Sequence, residues 1–401
     1  MKTLKNLFVL AMSIFAFISC SKDSKTATGP ENEKVGVIGS VFYGGDINED
    51  ITLKAGQTYT LTKGVHMKEG HTLTIEQGVT IIANADELSY ILIEKGAKIN
   101  AVGTASSPIV MTASKETPGA WGGLMICGKA TINIDGGSGV SEVGNAPYGG
   151  TNDADNSGTL KYIRLEYTGY AFDEDHESNG VAFYGVGSAT TVDHIQVYKG
   201  SDDGFEFFGG TVNANYLVST ASHDDSFDWT EGWKGTCSYW LAVQSAESKG
   251  TGFESDNLEG NNDASPRSKP TISNITLVGN GSEKSQAMNL RRGTGAVLSN
   301  LLMTNYVMGV GIEENSTAKL IGTDLTINNA VLNNSITDDK KQYFTYVKST
   351  EGTARTAVDK SQLGDNVVVA EVTLSQNYIG QVNGAGAVPS GNDWTVGWTL
   401  K

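Results

Sequence analysis

The chain has 401 residues, of which 49 are glycine and 18% are charged, and its 45 Asp and Glu outnumber its 29 Lys and Arg to give a net charge of −16. Because 39% of the residues are hydrophobic, there is ample apolar surface to bury, and a globally disordered chain is excluded. An acidic chain without a basic patch also lacks the counterion release that drives nucleic-acid binding, so we expect no nucleic-acid partner.

Residues 1–19 are typical of a secretory signal peptide. Lys2 and Lys5 precede an apolar run from Leu7 to Ile18 that is too short to span a bilayer. Cys20 follows directly, and its position resembles the lipobox of bacterial lipoproteins, which implies that Cys20 becomes an acylated N-terminus. The alternative is an ordinary secretory signal with an incidental cysteine. We expect attachment to the outer membrane by the lipid anchor only, with the cell surface favoured over the periplasmic face.

Residues 20–36 then form the lipidated cysteine and a polar, flexible tether. The body of the chain, 37–401, repeats a short segment in which a small residue precedes two apolar residues that flank one variable residue. The first apolar positions are Val181, Phe205, Phe227, Phe253, Met288 and Val310, spaced by 24, 22, 26, 35 and 22 residues. A second strand with alternating apolar residues lies between successive segments.

Short strands that turn at Gly or Asn about every 22 residues predict a parallel β-helix. We therefore expect an all-β fold, a single-stranded right-handed parallel β-helix with an N-terminal cap at 37–70 and a C-terminal cap at 365–401. A propeller or sandwich is the alternative, but propeller blades repeat at about 40–50 residues. Phe205, Phe227 and Phe253 should form one interior ladder and Phe183, Phe207 and Trp229 another, as core packing rather than as platforms for sugars. Of the nearby Trp233, Tyr239 and Trp240, some are candidates to face a sugar ring, with Trp240 favoured to point inward.

The residue between the two inward positions must point outward. In successive coils it is Ala182, Glu206, Asp228, Glu254, Asn289 and Gly311. The pairs Asp202-Asp203 and Asp224-Asp225 align at the same 22-residue spacing. The candidate ligands or metal-binding residues are Asp202, Asp203, Glu206, Asp224, Asp225, Asp228, Glu254 and Asp256.

Carboxylates on neighbouring coils repel one another by about 1 kcal/mol per close pair in water. A bound cation, shared protons or the basic neighbours Arg291 and Arg292 would compensate. Carboxylate oxygens favour Ca²⁺ over Zn²⁺. The alternative is that these acids are solvated or hydrogen-bond the turn amides.

Several strings resemble a known family. They include Gly119–Ala130, Tyr148–Tyr167, Asp202–Asn213, Gly252–Asn257 and Asn392–Trp398. The sequence is similar to right-handed parallel β-helix lipoproteins of Bacteroidota in the pectate-lyase-like superfamily. The resemblance implies the fold and an envelope location, and it implies no established reaction.

The expected function is binding of an extracellular polysaccharide or another nutrient through the acidic face, with Ca²⁺ and, as a partner, a TonB-dependent transporter. The first alternative is a polysaccharide lyase or glycoside hydrolase in which Asp203, Asp225, Glu206 and Asp228 are catalytic, although the Gly-His-Gly and Arg-Ile-Lys motifs of polygalacturonase-like enzymes have no counterpart. The second alternative is an adhesion or structural surface protein.

Overall fold

The structure is a computed structural model that describes residues 34–172, 177–333, 344–348, 358–375 and 378–401. The predicted signal peptide, Cys20 and most of the predicted tether lie outside these residues. The strands are, in chain order, β1 (Gly36–Ile38), β2 (Val41–Ile47), β3 (Ile51–Leu53), β4 (Thr58–Met67), β5 (Thr72–Ile75), β6 (Thr80–Ala83), β7 (Tyr90–Ile93), β8 (Lys98–Val102), β9 (Ile109–Ala113), β10 (Leu124–Cys127), β11 (Gly139–Val140), β12 (Pro147–Tyr148), β13 (Gly158–Glu166), β14 (Val181–Tyr184), β15 (Thr191–Tyr198), β16 (Phe205–Phe208), β17 (Asn213–Thr220), β18 (Phe227–Thr230), β19 (Thr236–Val243), β20 (Phe253–Ser255), β21 (Thr271–Val278), β22 (Gln286–Leu290), β23 (Ala296–Thr304), β24 (Met308–Glu313), β25 (Leu325–Asn333), β26 (Phe344–Lys348) and β27 (Val367–Ala370). A one-turn helix, α1, spans Asn315–Ala318, and a 3-10 turn spans Lys360–Gln362.

The strands build three parallel sheets, because strands of one coil pair with strands of the coils before and after it. Sheet 1 contains the second halves of β2 and β4 and then β7, β10, β14, β16, β18, β20, β22, β24 and β26. Sheet 2 contains β3, β5, β8 and the first halves of the odd-numbered strands from β13 to β25. Sheet 3 contains the first halves of β2 and β4, then β6, β9, the second halves of those odd-numbered strands, and β27. The predicted parallel β-helix is confirmed.

The spacing of the apolar segments gives the register of sheet 1. Val181 pairs with Phe205, Phe205 with Phe227 and Phe227 with Phe253. The ladder continues through Met288 and Val310, and its members are buried. The rings of Phe205 and Phe227 lie 5.6 Å apart between centroids. Each aromatic side chain buries about 150–250 Å², so this ladder is a large part of the core.

The long strands of sheets 2 and 3 bend at one residue with positive φ. These residues form the corner column, which consists of Tyr162, His194, Tyr216, Tyr239, Asn274, Asn300 and Asn329. The first four stack at centroid distances of 4.3, 4.2 and 4.7 Å. The amide of Asn300 donates to Asn274 (3.0 Å), and that of Asn329 donates to Asn300 (2.8 Å). These contacts between coils offset the cost of a left-handed backbone in residues other than glycine.

The two ends differ from the predicted caps. Of residues 37–70, β2, β3 and β4 already form rungs, and only β1 pairs in antiparallel fashion with the first half of β2. Alternating apolar residues in this segment allow it to extend the same sheets. Of residues 365–401, β27 is a rung of sheet 3, and Gly386 to Leu400 lie along the outer side of sheet 3, beside Asn300 and Gln196.

Residues 128–157, between β10 and β13, form an insert that includes the antiparallel pair β11 and β12. Ile132 and Tyr148 of the insert pack with Met125, Ala182 and Tyr184 on the outer face of sheet 1. The insert therefore covers the outer face beside Ala182, and it also packs on Phe208 of β16 and, through the hydroxyl of Tyr148, donates a hydrogen bond of 2.8 Å to Glu231. Within the described part of the chain, no helix has the length and apolar character needed to cross a bilayer.

Candidate functional site

The acidic column consists of Glu206, Asp228 and Glu254, which occupy the same outward position on β16, β18 and β20. Glu206 pairs with Asp228, and Asp228 pairs with Glu254. Side chains alternate between the two faces of a strand. Because the buried residues that flank each of them point into the core, these three carboxylates share the outer face.

Two Asp-Asp turns, Asp202-Asp203 and Asp224-Asp225, precede β16 and β18. The amide of Gly204 donates to the carbonyl oxygen of Asp225 at 2.9 Å. A Cβ at Gly204 would lie 2.6 Å from the carbonyl oxygen of Ser226, so only glycine permits this close approach. The carboxylate of Asp203 accepts a hydrogen bond from the amide of Asp225 at 2.9 Å. The two turns are therefore stacked directly on each other.

The turns and the column converge into one acidic site. One carboxylate oxygen from each of Asp203, Glu206 and Asp228 lies within 4.8 Å of the others, and the same holds for Asp202, Asp203 and Asp224. Asp203 belongs to both groups and is 7% exposed. Repulsion between carboxylates at this separation exceeds its value in water, because burial lowers the local dielectric.

Within the described residues, arginine side chains form ion pairs at one end of the acidic site. Arg291 contacts Glu254 (2.5 Å) and Asp256 (2.6 Å), and Arg292 contacts Asp256 (2.5 Å) and Glu259 (3.0 Å). Burial opposes the charge of Arg291, but its hydrogen bond to Asp256 and the surrounding acids raise its pKa above the usual value. Both basic neighbours predicted from the sequence are thus engaged at the end formed by residues 254–259.

The other end has few compensating groups. Asn179 donates a hydrogen bond of 2.5 Å to Glu206. The Oδ1 atom of Asp228 is buried, and no described residue hydrogen-bonds to it. A buried carboxylate oxygen without a partner is unfavourable, so this end requires a proton or a cation.

The electrostatics of the acidic site favour retained protons. Burial, together with Glu177 and Asp224, raises the pKa of Asp202 to about 7. Burial is also the main cause, and neighbouring acids a further cause, of pKa values well above the usual range for four other carboxyls, those of Asp203, Glu206, Asp225 and Asp228. A ligand that supplies positive charge here would displace protons.

Three further residues contribute to the site, and two of them, Glu142 and Asn179, lie outside the repeat. Glu142 of the insert accepts a hydrogen bond from the hydroxyl of Tyr184 at 3.0 Å and, after burial, is the largest cause of the raised pKa of Glu206. Asn179 lies before β14, and Asn289 donates to Glu254 at 3.1 Å. Glu142 belongs to a nonrepeating segment, so spacing could not identify it, whereas Asn289 occupies the repeated outward position.

Two of the three aromatic residues near the acidic site are fully buried, and the third, Tyr239, has one ring face covered. Trp233 and Trp240 are 0% exposed. Tyr239 lies in the corner column, where its ring stacks on Tyr216 with an angle of 3° between the planes. The inward position favoured for Trp240 is observed, and the two buried tryptophans cannot serve as sugar platforms.

The donor atoms that converge here are carboxylate oxygens. Oxygen-only ligation suits hard cations such as Ca²⁺, which takes six to eight oxygens. His223, the nearby nitrogen donor, is directed instead toward Glu247, with Nε2 3.4 Å from its carboxylate. Asp203, Glu206 and Asp228 would hold such an ion, leaving its remaining coordination positions to water or to ligand oxygens.

Comparisons with known proteins agree with the architecture. No curated protein and no solved structure matches the chain. A family model, the pectate-lyase like beta helix domain, matches residues 45–399, which is most of the chain and includes the acidic site and the insert. The chain therefore belongs to the pectate-lyase-like β-helix domain family.

Proposed function

We propose that this protein is an outer-membrane lipoprotein that binds an extracellular glycan, or another nutrient, through the acidic site with Ca²⁺ as a bridging ion. One observation carries the proposal: the Oδ1 atom of Asp228 is buried without a hydrogen-bond partner among the described residues, close to two further carboxylates. A bound cation would offset the repulsion among these carboxylates and would give the Oδ1 atom of Asp228 a partner.

A bridging Ca²⁺ ion explains how an acidic surface can bind acidic sugars. Protein carboxylates supply part of the coordination shell, and carboxylates or hydroxyls of the glycan supply the rest. Cys20 would hold the protein at the outer membrane, with the cell-surface side favoured, and a TonB-dependent transporter would receive the captured ligand. Membership of a pectate-lyase-like family is compatible with glycan recognition.

Calorimetric titration of the purified protein with Ca²⁺ tests the proposal. We expect saturable binding that is lost in Asp203→Asn and retained in Asp86→Asn, a matched change at an exposed residue outside the site that pairs with Lys115. Polygalacturonate or alginate should then bind in the presence of Ca²⁺ and be released by chelator. Absence of Ca²⁺ binding would contradict the proposal and favour an adhesion or structural role.

A second candidate function is a polysaccharide lyase or glycoside hydrolase acting on acidic glycans. The pKa values of its four catalytic candidates, which burial raises well above the usual range, favour it, because a carboxyl that keeps its proton can act as a general acid. Asp203, Asp225, Glu206 and Asp228 are the catalytic candidates. Arg291 does not fit the role of base, because Asp256 and Glu254 hold it protonated.

Assays for new reducing ends or unsaturated products on polygalacturonate and alginate separate the two functions. Turnover that disappears in Asp225→Ala and persists in Asp86→Asn would establish the enzyme. Binding of the same glycans without products would establish the binding protein.

A further inference from the structure

The C-terminal strap, residues 386–401, crosses the outer side of sheet 3 against the order of the coils. The amide of Gly386 donates to the carbonyl oxygen of Asn300 (2.9 Å), and that of Ala387 donates to the hydroxyl of Thr276 (2.7 Å). Further along the strap, Arg164 donates to the carbonyl oxygen of Trp398 at 3.1 Å. One segment therefore contacts coils that are far apart in the β-helix.

Apolar side chains fix the strap in place. Ala387, Val388 and Trp398 pack with Val218 and Leu241, which point outward from β17 and β19. Trp398 is 0% exposed, and burial of an aromatic side chain of this size stabilises the docked strap.

The strap also packs against the corner column. The ring of Trp398 lies edge-on to His194 and Tyr162, with centroids 5.5 and 5.9 Å apart. Trp394 meets Tyr216 in the same manner at 5.1 Å. His194 and Tyr216 are the bend residues of β15 and β17, so the strap holds the bends of both strands.

Gln196 connects the strap to the strands that lead into the acidic site. Its side-chain amide donates to the carbonyl oxygen of Leu400 (2.8 Å) and to the hydroxyl of Thr220 (3.0 Å), and its oxygen accepts from the amide of Leu400 (2.8 Å). Thr220 ends β17. Its carbonyl oxygen accepts from the amide of Lys199 at 2.8 Å, at the start of the first Asp-Asp turn.

From these contacts we propose that the C-terminal strap is a positioning element for the acidic site. By fixing the outer faces of β15 and β17, it keeps the turns that carry Asp202-Asp203 and Asp224-Asp225 one coil apart against the repulsion of their carboxylates. This role goes beyond the proposed function and does not depend on the identity of the ligand.

Hydrogen exchange of the full chain, without added Ca²⁺, tests the inference. In Trp398→Ala and in the milder Gln196→Ala, we expect exchange to become about tenfold faster both in the strap and in the turns at 199–204 and 221–226. The control is Ile81→Ala, which removes a buried side chain from sheet 3 near the N-terminal end. In this variant, the exchange rates of both turns should be unchanged relative to those of the residues around them.

Faster exchange in the strap without faster exchange in the turns would overturn the inference, and so would unchanged exchange in both. The rise in melting temperature caused by Ca²⁺ is a second measurement, and it rests on the proposed function. Its reduction in the two strap variants, but not in Ile81→Ala, would support the positioning role. If Ca²⁺ has no effect on the unaltered protein, the proposed function fails, and the exchange data alone decide the role of the strap.

Discussion

Asp228 lies between two other acidic side chains, Glu206 on the coil before it and Glu254 on the coil after it. An ionised carboxylate has only acceptor atoms, so Glu206 and Glu254 in their ionised forms leave the buried Oδ1 of Asp228 without a donor. Burial and the nearby acids raise its pKa well above the usual range. An aspartate on an exposed surface would be solvated, and its oxygen atoms would need no partner from the protein.

Asp228→Asn should stabilise the protein when no cation is bound. The amide removes one charge from the column and supplies a donor that either neighbouring carboxylate can accept. We expect the free energy of unfolding at about pH 8, measured by urea denaturation in the presence of chelator, to rise by about 1 kcal/mol.

The control is Asp86→Asn, whose effect should stay within about 0.5 kcal/mol, as for other exposed positions. A loss of stability in Asp228→Asn under these conditions would show that the carboxylate is already satisfied in the apo protein. With saturating Ca²⁺, Asp228→Asn should instead be less stable than the unaltered protein, because the substitution removes a ligand of the ion.

The pH dependence of stability should carry the signature of the acidic site. The folded-state pKa of Asp202, about 7, lies above the unfolded value near 3.9, so the folded state binds more protons between these limits. The stabilisation is complete below pH ~4 and is lost as the pH rises through ~7, because unfolding releases a proton in this range and a rising pH favours that release. Asp203 and Asp225, whose pKa values burial also raises well above the usual range, contribute to the loss in the same direction.

We therefore expect the chelated protein to have a higher urea midpoint at about pH 5 than at about pH 8, and Asp202→Asn to reduce this difference. If the urea midpoints are the same at both pH values, in the unaltered protein as well as in Asp202→Asn, the raised pKa of Asp202 is contradicted. Measurement at about pH 5 avoids the acid range in which Asp263 and Glu76, whose pKa values are lowered by hydrogen bonds, become protonated and lose their own contribution.

At the level of elements, the spacing of apolar residues was sufficient to predict the rungs of sheet 1. Phe205, Phe227 and Phe253 stack as expected because each coil must bury the same inward positions. The strap is not predictable from the repeat, since Trp394 and Trp398 pack on coils distant in sequence and no periodicity encodes that contact. The predicted position of the acidic residues on one face followed from the same register, whereas Glu142 reaches the site through an insert without a repeat.

The corner column allows a test of how these coils hold their bends. Asn300 has φ 54°, a conformation that Asn tolerates and β-branched residues do not. Asn300→Val should cost about 3 kcal/mol of unfolding free energy, since it adds left-handed strain and removes the hydrogen bonds to Asn274 and from Asn329. Asn300→Gly is the matched control, because it keeps the bend and loses only the hydrogen bonds.

We expect Asn300→Gly to cost about 1–2 kcal/mol, less than the valine variant. Chemical denaturation of both variants measures the difference. Equal losses would mean that the bend itself carries little strain and that the asparagine ladder accounts for the whole effect.

Across the whole molecule, the acidic surplus is unevenly arranged. Many surface acids have basic partners, such as Glu76 with Lys54 and Asp263 with Lys319, whereas the coils at 202–228 concentrate carboxylates with few cations nearby. A solenoid transmits stability between neighbouring coils, so repulsion concentrated in two coils can limit the stability of the molecule.

This arrangement predicts that general screening and specific ion binding have separable effects. Raising NaCl from about 0.02 to 0.5 M shortens the screening length below ~10 Å and should raise the melting temperature of the chelated protein moderately. Ca²⁺ at about 1 mM scarcely changes the ionic strength. It should nevertheless raise the melting temperature at least as much if it binds the folded state and not the unfolded state. Mg²⁺ at the same concentration should do less, because it dehydrates reluctantly and demands stricter octahedral geometry. Equal shifts by Ca²⁺ and Mg²⁺, both reproduced by NaCl of matched ionic strength, would mean that the carboxylates are merely screened and that the acidic site selects no ion.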